Sequence, residues 1–136
     1  MSSETAKAAL ISAAKEARVR AHAPFSKFKV GAALETAAGE IVTGCNIENA
    51  SYGLTLCAER VAIFKAVSEG QRKFTALAVA VDTDELTPPC GACRQIIWEF
   101  CGDIPVTMAN LAGRTETMQM SDLLPKAFDG RFLSDS

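Results

Sequence analysis

Residues 74–81, "FTALAVAV", form an apolar run broken only by Thr75. A strand open to water on one side would alternate polar and apolar residues. This run is therefore expected in the middle of a sheet, covered on both faces, as in sheets built with parallel crossovers. Downstream, "PCGACRQIIWEFCG" (89–102) has the length of a helix that starts at about Cys90 and stops by Gly102. Pro89 suits a helix start, where its missing N–H would have had no intrahelical partner. "IPVTMAN" (104–110) reads as the next strand, and the three segments together predict one right-handed β-α-β crossover.

Upstream, Ala6, Leu10, Ala13, Ala14 and Ala17 recur at three- and four-residue steps, which predicts an opening helix from about Thr5 to His22. "KFKVGAALETAAGEIVTG" (27–44) reads as two strands around an Ala-Ala-Gly-Glu turn, whose glycine can supply a positive φ. "CNIENASYGLT" (45–55) is a polar loop leading into "LCAERVAIFKAVSEG" (56–70), a helix that begins near Cys57 and is capped by Gly70. "RTETMQM" (114–120) adds a strand, and "SDLLPKAFDG" (121–130) a short helix with Ser121 as N-cap and Pro125 opposing any extension. The order α-β-β-α-β-α-β-β-α predicts an α/β fold, a three-layer α-β-α sandwich around a mixed five-stranded sheet. Both cysteine-bearing helices would then begin at one edge of that sheet.

A chain of 136 residues with 49% hydrophobic content is sized for a single domain, residues 1–136, with a real core. Net charge −2 with scattered lysines and arginines argues against a nucleic acid polymer as partner. No apolar run reaches the length of a membrane span, and "MSSETAKAALISAAKEA" lacks the core of an export signal, so a cytoplasmic location is expected. A mean hydropathy of +0.13 hints at surface covered by another subunit.

Five cysteines without an export signal make a disulfide framework a poor explanation. Cys90 and Cys93, three apart on a first helical turn, share a face in the positive field of that helix end, where thiolates are favoured. By itself the pair suits a redox couple as well as half of a metal clasp. Cys57 lies at another helix start, two residues before Glu59, which helical spacing puts on the face of Ile63 and Val67. A carboxylate among apolar neighbours needs a reason beyond stabilising its helix end. C-x-E followed by P-C-x-x-C is the three-cysteine form of the zinc deaminase signature, in which zinc activates water and a glutamate carries protons.

Through "FKVGAAL", "GCNIENASYG", "CAERVAIFKAVSEG", "PCGACRQ" and "LLPKAF", in that order, the chain resembles the small homotetrameric cytidine deaminases. That resemblance implies one Zn²⁺ per subunit on Cys57, Cys90 and Cys93, Glu59 as catalytic residue, and hydrolysis of cytidine and 2′-deoxycytidine to the uridines and ammonia in pyrimidine salvage. It also implies substrate contacts from Phe28, Asn46, Glu48 and Ala58, with Phe128 reaching the base from a neighbouring subunit of a homotetramer. Asn46 and Glu48 would bind the ribose 3′-hydroxyl, and a carboxylate there would repel a 3′-phosphate. Three thiolates should make zinc-bound water less acidic, and Arg60 would offset this by hydrogen bonding to sulfur. Phe25 stands where several relatives carry tyrosine.

Residues alone leave other assignments open. Asn46 and Glu48 are also ordinary loop-formers, Phe28 an ordinary core residue, and Arg60 an ordinary surface arginine. His22 reads as a helix C-terminal residue, Cys45 and Cys101 as buried small hydrophobes, and Trp98 as packing. The competing functions are a structural Cys₄ zinc module completed by Cys45 or Cys101, a thioredoxin-like oxidoreductase, and a deaminase of another aminopyrimidine nucleoside such as blasticidin S.

Overall fold

The computed structural model describes residues 3–133. Its main elements are α1 (Ser3–Arg18), β1 (Gly31–Thr36), β2 (Ile41–Cys45), α2 (Ala58–Ser68), β3 (Phe74–Val81), α3 (Gly91–Cys101), β4 (Pro105–Asn110), β5 (Thr115–Gln119) and α4 (Met120–Leu123). The sheet order is β2-β1-β3-β4-β5. β3 and β4, joined through α3, run parallel, and the other three pairings are antiparallel.

β3 occupies the middle of the sheet, and its two faces differ in size. Leu77 and Val79 meet Ala62, Ile63, Ala66 and Ile97 of α2 and α3 in the larger core. Ala76, Ala78 and Ala80 point the other way, against Leu10 and Ala14 of α1. The small side chains let α1 lie very close to the sheet. A Cβ on Gly31 would fall 2.0 Å from the Ala14 carbonyl oxygen. α2 is also pressed close on the opposite face, where a Cβ on Gly44 would sit 2.5 Å from the Ala62 nitrogen.

Local expectations differ from the structure in two places. α1 ends at Arg18, because the N–H groups of Val19, Arg20 and Ala21 turn to carbonyls three residues back, at 3.2, 3.0 and 3.1 Å. His22 is therefore not a helix C-terminal residue, and it forms a bridge with Ile47 instead. Ser121 is not an N-cap; the cap position is Gln119, and the Ser121 N–H donates to Asp103 Oδ1 at 2.8 Å. α3 does start at Cys90, its N-cap, directly after Pro89. Gly70 and Gly39 do take the positive φ their turns require, 95° and 88°. Among the described residues no helix is long and apolar enough to cross a membrane.

Gly31→Ala is expected to cost about 1–3 kcal/mol or more, since backbone rather than a flexible side chain must move. Gly53→Ala, with nothing within 4 Å of the added Cβ, is the matched control. Urea unfolding of both variants checks this, and equal stability would contradict the close approach of α1.

Candidate active site

Two helix starts converge on one point. Cys57 is the N-cap of α2 and Cys90 the N-cap of α3, both with extended backbone, and their carbonyls accept the first helical bonds from Val61 (3.1 Å) and Arg94 (2.9 Å). Neither sulfur caps its own helix, so both are free to point elsewhere. Cys93, in the first turn of α3, is fully buried. The three sulfurs lie within 4.8 Å of one another. Sulfurs on a tetrahedral zinc at ~2.3 Å stand about 3.8 Å apart, so the donor set and spacing fit that ion.

The electrostatics point the same way. A hydrogen bond from Cys93, aided by Arg60 and opposed by burial, brings the Cys57 thiol down to about 5. The bond with Cys57, with burial and the Glu59 charge, pushes Cys93 up. Sulfurs this close cannot all shed their protons unless a cation joins them. Arg60 Nη2 donates to Cys57 Sγ at 3.4 Å, while its Nε is buried with no partner among the described residues. Arg60 thus faces the Cys57 sulfur rather than bulk solvent.

Glu59 is 4% exposed, on the α2 face that also buries Ile63. Burial raises its carboxyl to about 7, with the Cys57 charge adding to the rise. Cys57, Ala58, Glu59 and Cys90 line a cavity of about 250 Å³, floored by Val79 and Val81 at the end of β3. The cavity sits where a parallel strand ends, the usual place for ligands in sheets of this kind.

Its polar wall comes from the chain beyond β2. Ile47 bridges both His22 and Leu56, so residues 46–48 run extended and project Asn46 and Glu48 to the same side. Asn46 accepts from the Val30 N–H at 2.9 Å and donates to the Phe28 carbonyl at 2.7 Å. Glu48 accepts from the backbone of Phe25 and Ser26 at 3.0 and 3.1 Å. Phe28 lines the cavity and is 40% exposed, so it is not a core residue.

Residues 4–108 match the family described as the cytidine and deoxycytidylate deaminase zinc-binding region. The chain belongs to this deaminase family. It is 55% identical to a cytidine deaminase of Sporosarcina psychrophila, over 92% of this chain and 93% of that one. A crystal structure of cytidine deaminase from Burkholderia pseudomallei superposes with a TM-score of 0.86 at 50% identity, covering 89% of this chain and 98% of that one. A more distant relative is a blasticidin-S deaminase of Bacillus cereus, 36% identical over 74% of this chain and 76% of its own.

In this deaminase, α3 also organises the end of the chain, which sequence reasoning missed. Arg94 donates to the Pro89 carbonyl at 2.7 Å and to the Leu123 carbonyl at 2.9 Å, tying the cysteine loop to α4. Gln95 Nε2 donates to the Phe128 carbonyl at 2.6 Å, and the Trp98 indole donates to Asp129 Oδ2 at 2.9 Å. Trp98 therefore does more than pack. Phe128 itself is 54% exposed, stacks on Phe132 at 5.6 Å, and does not line the cavity of its own chain. Cys101 packs at the core edge, with its thiol pushed up to about 12 by burial, and Cys45 is half-buried in β2. An arginine next to the second cysteine was the available signal for Arg94.

Hydrogen bonds from Arg131 and then Trp98 bring the Asp129 carboxyl down to about 2 from 3.8. A carboxyl that is more acidic when folded favours docking at neutral pH, and that contribution is lost as pH falls from 3.8 towards about 2. Emission of Trp98, the sole tryptophan, should show a step in that window. Asp129→Asn should remove the step, and an unchanged titration would contradict the contact.

Proposed function

We propose that this chain is a zinc-dependent cytidine deaminase that converts cytidine and 2′-deoxycytidine to the uridines and ammonia, with Glu59 as its catalytic residue. The observation that carries this is the meeting of the Cys57, Cys90 and Cys93 sulfurs beside a buried carboxyl on one nucleoside-sized cavity. Cys57, Cys90 and Cys93 would hold the zinc ion, which when bound would supply Lewis acidity toward water.

The rest is work for the chain's own side chains. Glu59 takes a proton from the attacking water and passes it to N3 of the pyrimidine as oxygen bonds to C4. It then takes the second proton of that oxygen and gives it to the amino nitrogen, so that ammonia leaves as the C4 carbonyl forms. Its burial keeps both transfers away from bulk solvent. Ala58 contacts the base from the α2 start, and Phe28 packs against the nucleoside. Asn46 and Glu48 take the ribose 3′-hydroxyl, and the Glu48 charge disfavours nucleotides phosphorylated there. Phe128, turned outward, suits a role at a neighbouring subunit's site in a homotetramer. A single-domain enzyme of cytoplasmic pyrimidine salvage is the setting these features support.

Arg60 draws charge from sulfur. Arg60→Ala should keep the fold while zinc affinity falls roughly 10–100-fold, measured by competition with a chelator. Unchanged zinc retention and kinetics would remove that role.

The main test is ultraviolet absorbance of cytidine incubated with the purified, zinc-loaded protein. Absorbance should fall, and Glu59→Gln should bind zinc normally while losing about 10²–10⁴-fold in kcat. An equally active Glu59→Gln would refute the proton-carrier role, and turnover of blasticidin S in place of cytidine would refute the substrate.

A further inference from the structure

Ser26 links the two polar parts of the cavity wall. Its hydroxyl donates to Glu48 Oε2 and accepts from the Phe28 N–H at 3.0 Å. The second bond is the local turn that serine often makes with the residue two positions on. The first reaches 22 residues along the chain and has no local purpose.

The acceptor count of Glu48 shows its consequence. Each oxygen of an ionised carboxylate has about two lone-pair sites. Oε1 already accepts two backbone N–H groups, from Phe25 and Ser26. Oε2 accepts one donor, the Ser26 hydroxyl, and has capacity for one more. Ser26, Phe28 and Glu48 all line the cavity, so the spare acceptor belongs to the ligand's surroundings. Lys27, between Ser26 and Phe28, adopts φ 62°, a conformation uncommon outside glycine, which the bonds around it hold in place.

We propose that Ser26 is a positioning residue for sugar recognition: its hydroxyl orients the Glu48 carboxylate so that Oε2 receives a ribose hydroxyl, and sets the Phe28 backbone in the same act. This rests on the assignment of Glu48 to the sugar given above. The Ser26 hydrogen bond also lowers the Glu48 carboxyl from its ordinary value.

The experiment is steady-state kinetics of the zinc-loaded full chain on cytidine and on 3′-deoxycytidine, for the parent, Ser26→Ala and Ser26→Thr. With Ser26→Ala, KM for cytidine should rise about tenfold, the usual scale for a lost bond to a charged group, with kcat little changed. KM for 3′-deoxycytidine should move less than about twofold, since that substrate has no hydroxyl to lose, and Ser26→Thr should restore most of the cytidine KM. If Ser26→Ala does not fold, Ser26→Cys, which keeps the volume and weakens the donor, reads the same ratio. Equal KM increases on both substrates, or an unchanged cytidine KM, would overturn the proposal. A parent that deaminates cytidine yet treats 3′-deoxycytidine identically overturns the Glu48 assignment and Ser26 with it. A parent inert on cytidine overturns the activity itself.

Discussion

Repulsion between clustered thiolates is the constraint that governs this site. Three sulfurs within 4.8 Å would carry three like charges if all were ionised, an arrangement stable only around a cation. The chain softens that cost by opening α2 and α3 at the same point, each with a cysteine as N-cap, so that two positive helix ends face the sulfurs. Arg60 adds a formal positive charge to Cys57. Glu59, beside the cluster, has its carboxyl raised by burial to about 7, where the ionised and protonated forms are both accessible at neutral pH.

Distant packing makes this convergence possible. α2 can reach its place only because Gly44 leaves room for its backbone against β2, and α1 closes the opposite face on a surface of alanines. The parallel β3–β4 pair creates the sheet edge at which α3 starts, and Arg94 fixes the loop before Cys90 to α4. The polar wall depends on a different device, an extended stretch bridged on both sides, which aims Asn46 and Glu48 together. The cysteine-lined part of the cavity and the part lined by Asn46 and Glu48 thus rest on separate parts of the fold.

Where sequence reading succeeded, the signal was local. The central strand, both cysteine-bearing helix starts and the glycine turns follow from periodicity, caps and backbone freedom within a few residues. The meeting of Cys57, Cys90 and Cys93 and the burial of Glu59 were legible because cysteine and carboxylate spacing at helix starts survives as a short pattern. What escaped required tertiary partners. His22 left its helix because its backbone pairs with residues 46–48, and Ser121 is bonded by Asp103, eighteen residues earlier. The size difference between the faces of "FTALAVAV" was written in its alternation of alanine with valine and leucine, yet it had meaning only once α1 was known to take the alanine side. Ser26 and Arg94 act through bonds spanning 22 and 29 residues, which no spacing rule encodes.

The central claim is that three cysteine sulfurs of this chain share one zinc ion and leave it open to water. X-ray absorption at the zinc edge of the purified protein tests it most directly. The account predicts one zinc per chain with three sulfurs at about 2.3 Å and one lighter atom completing the shell. A shell of four sulfurs, or protein that folds and binds no zinc, would contradict it.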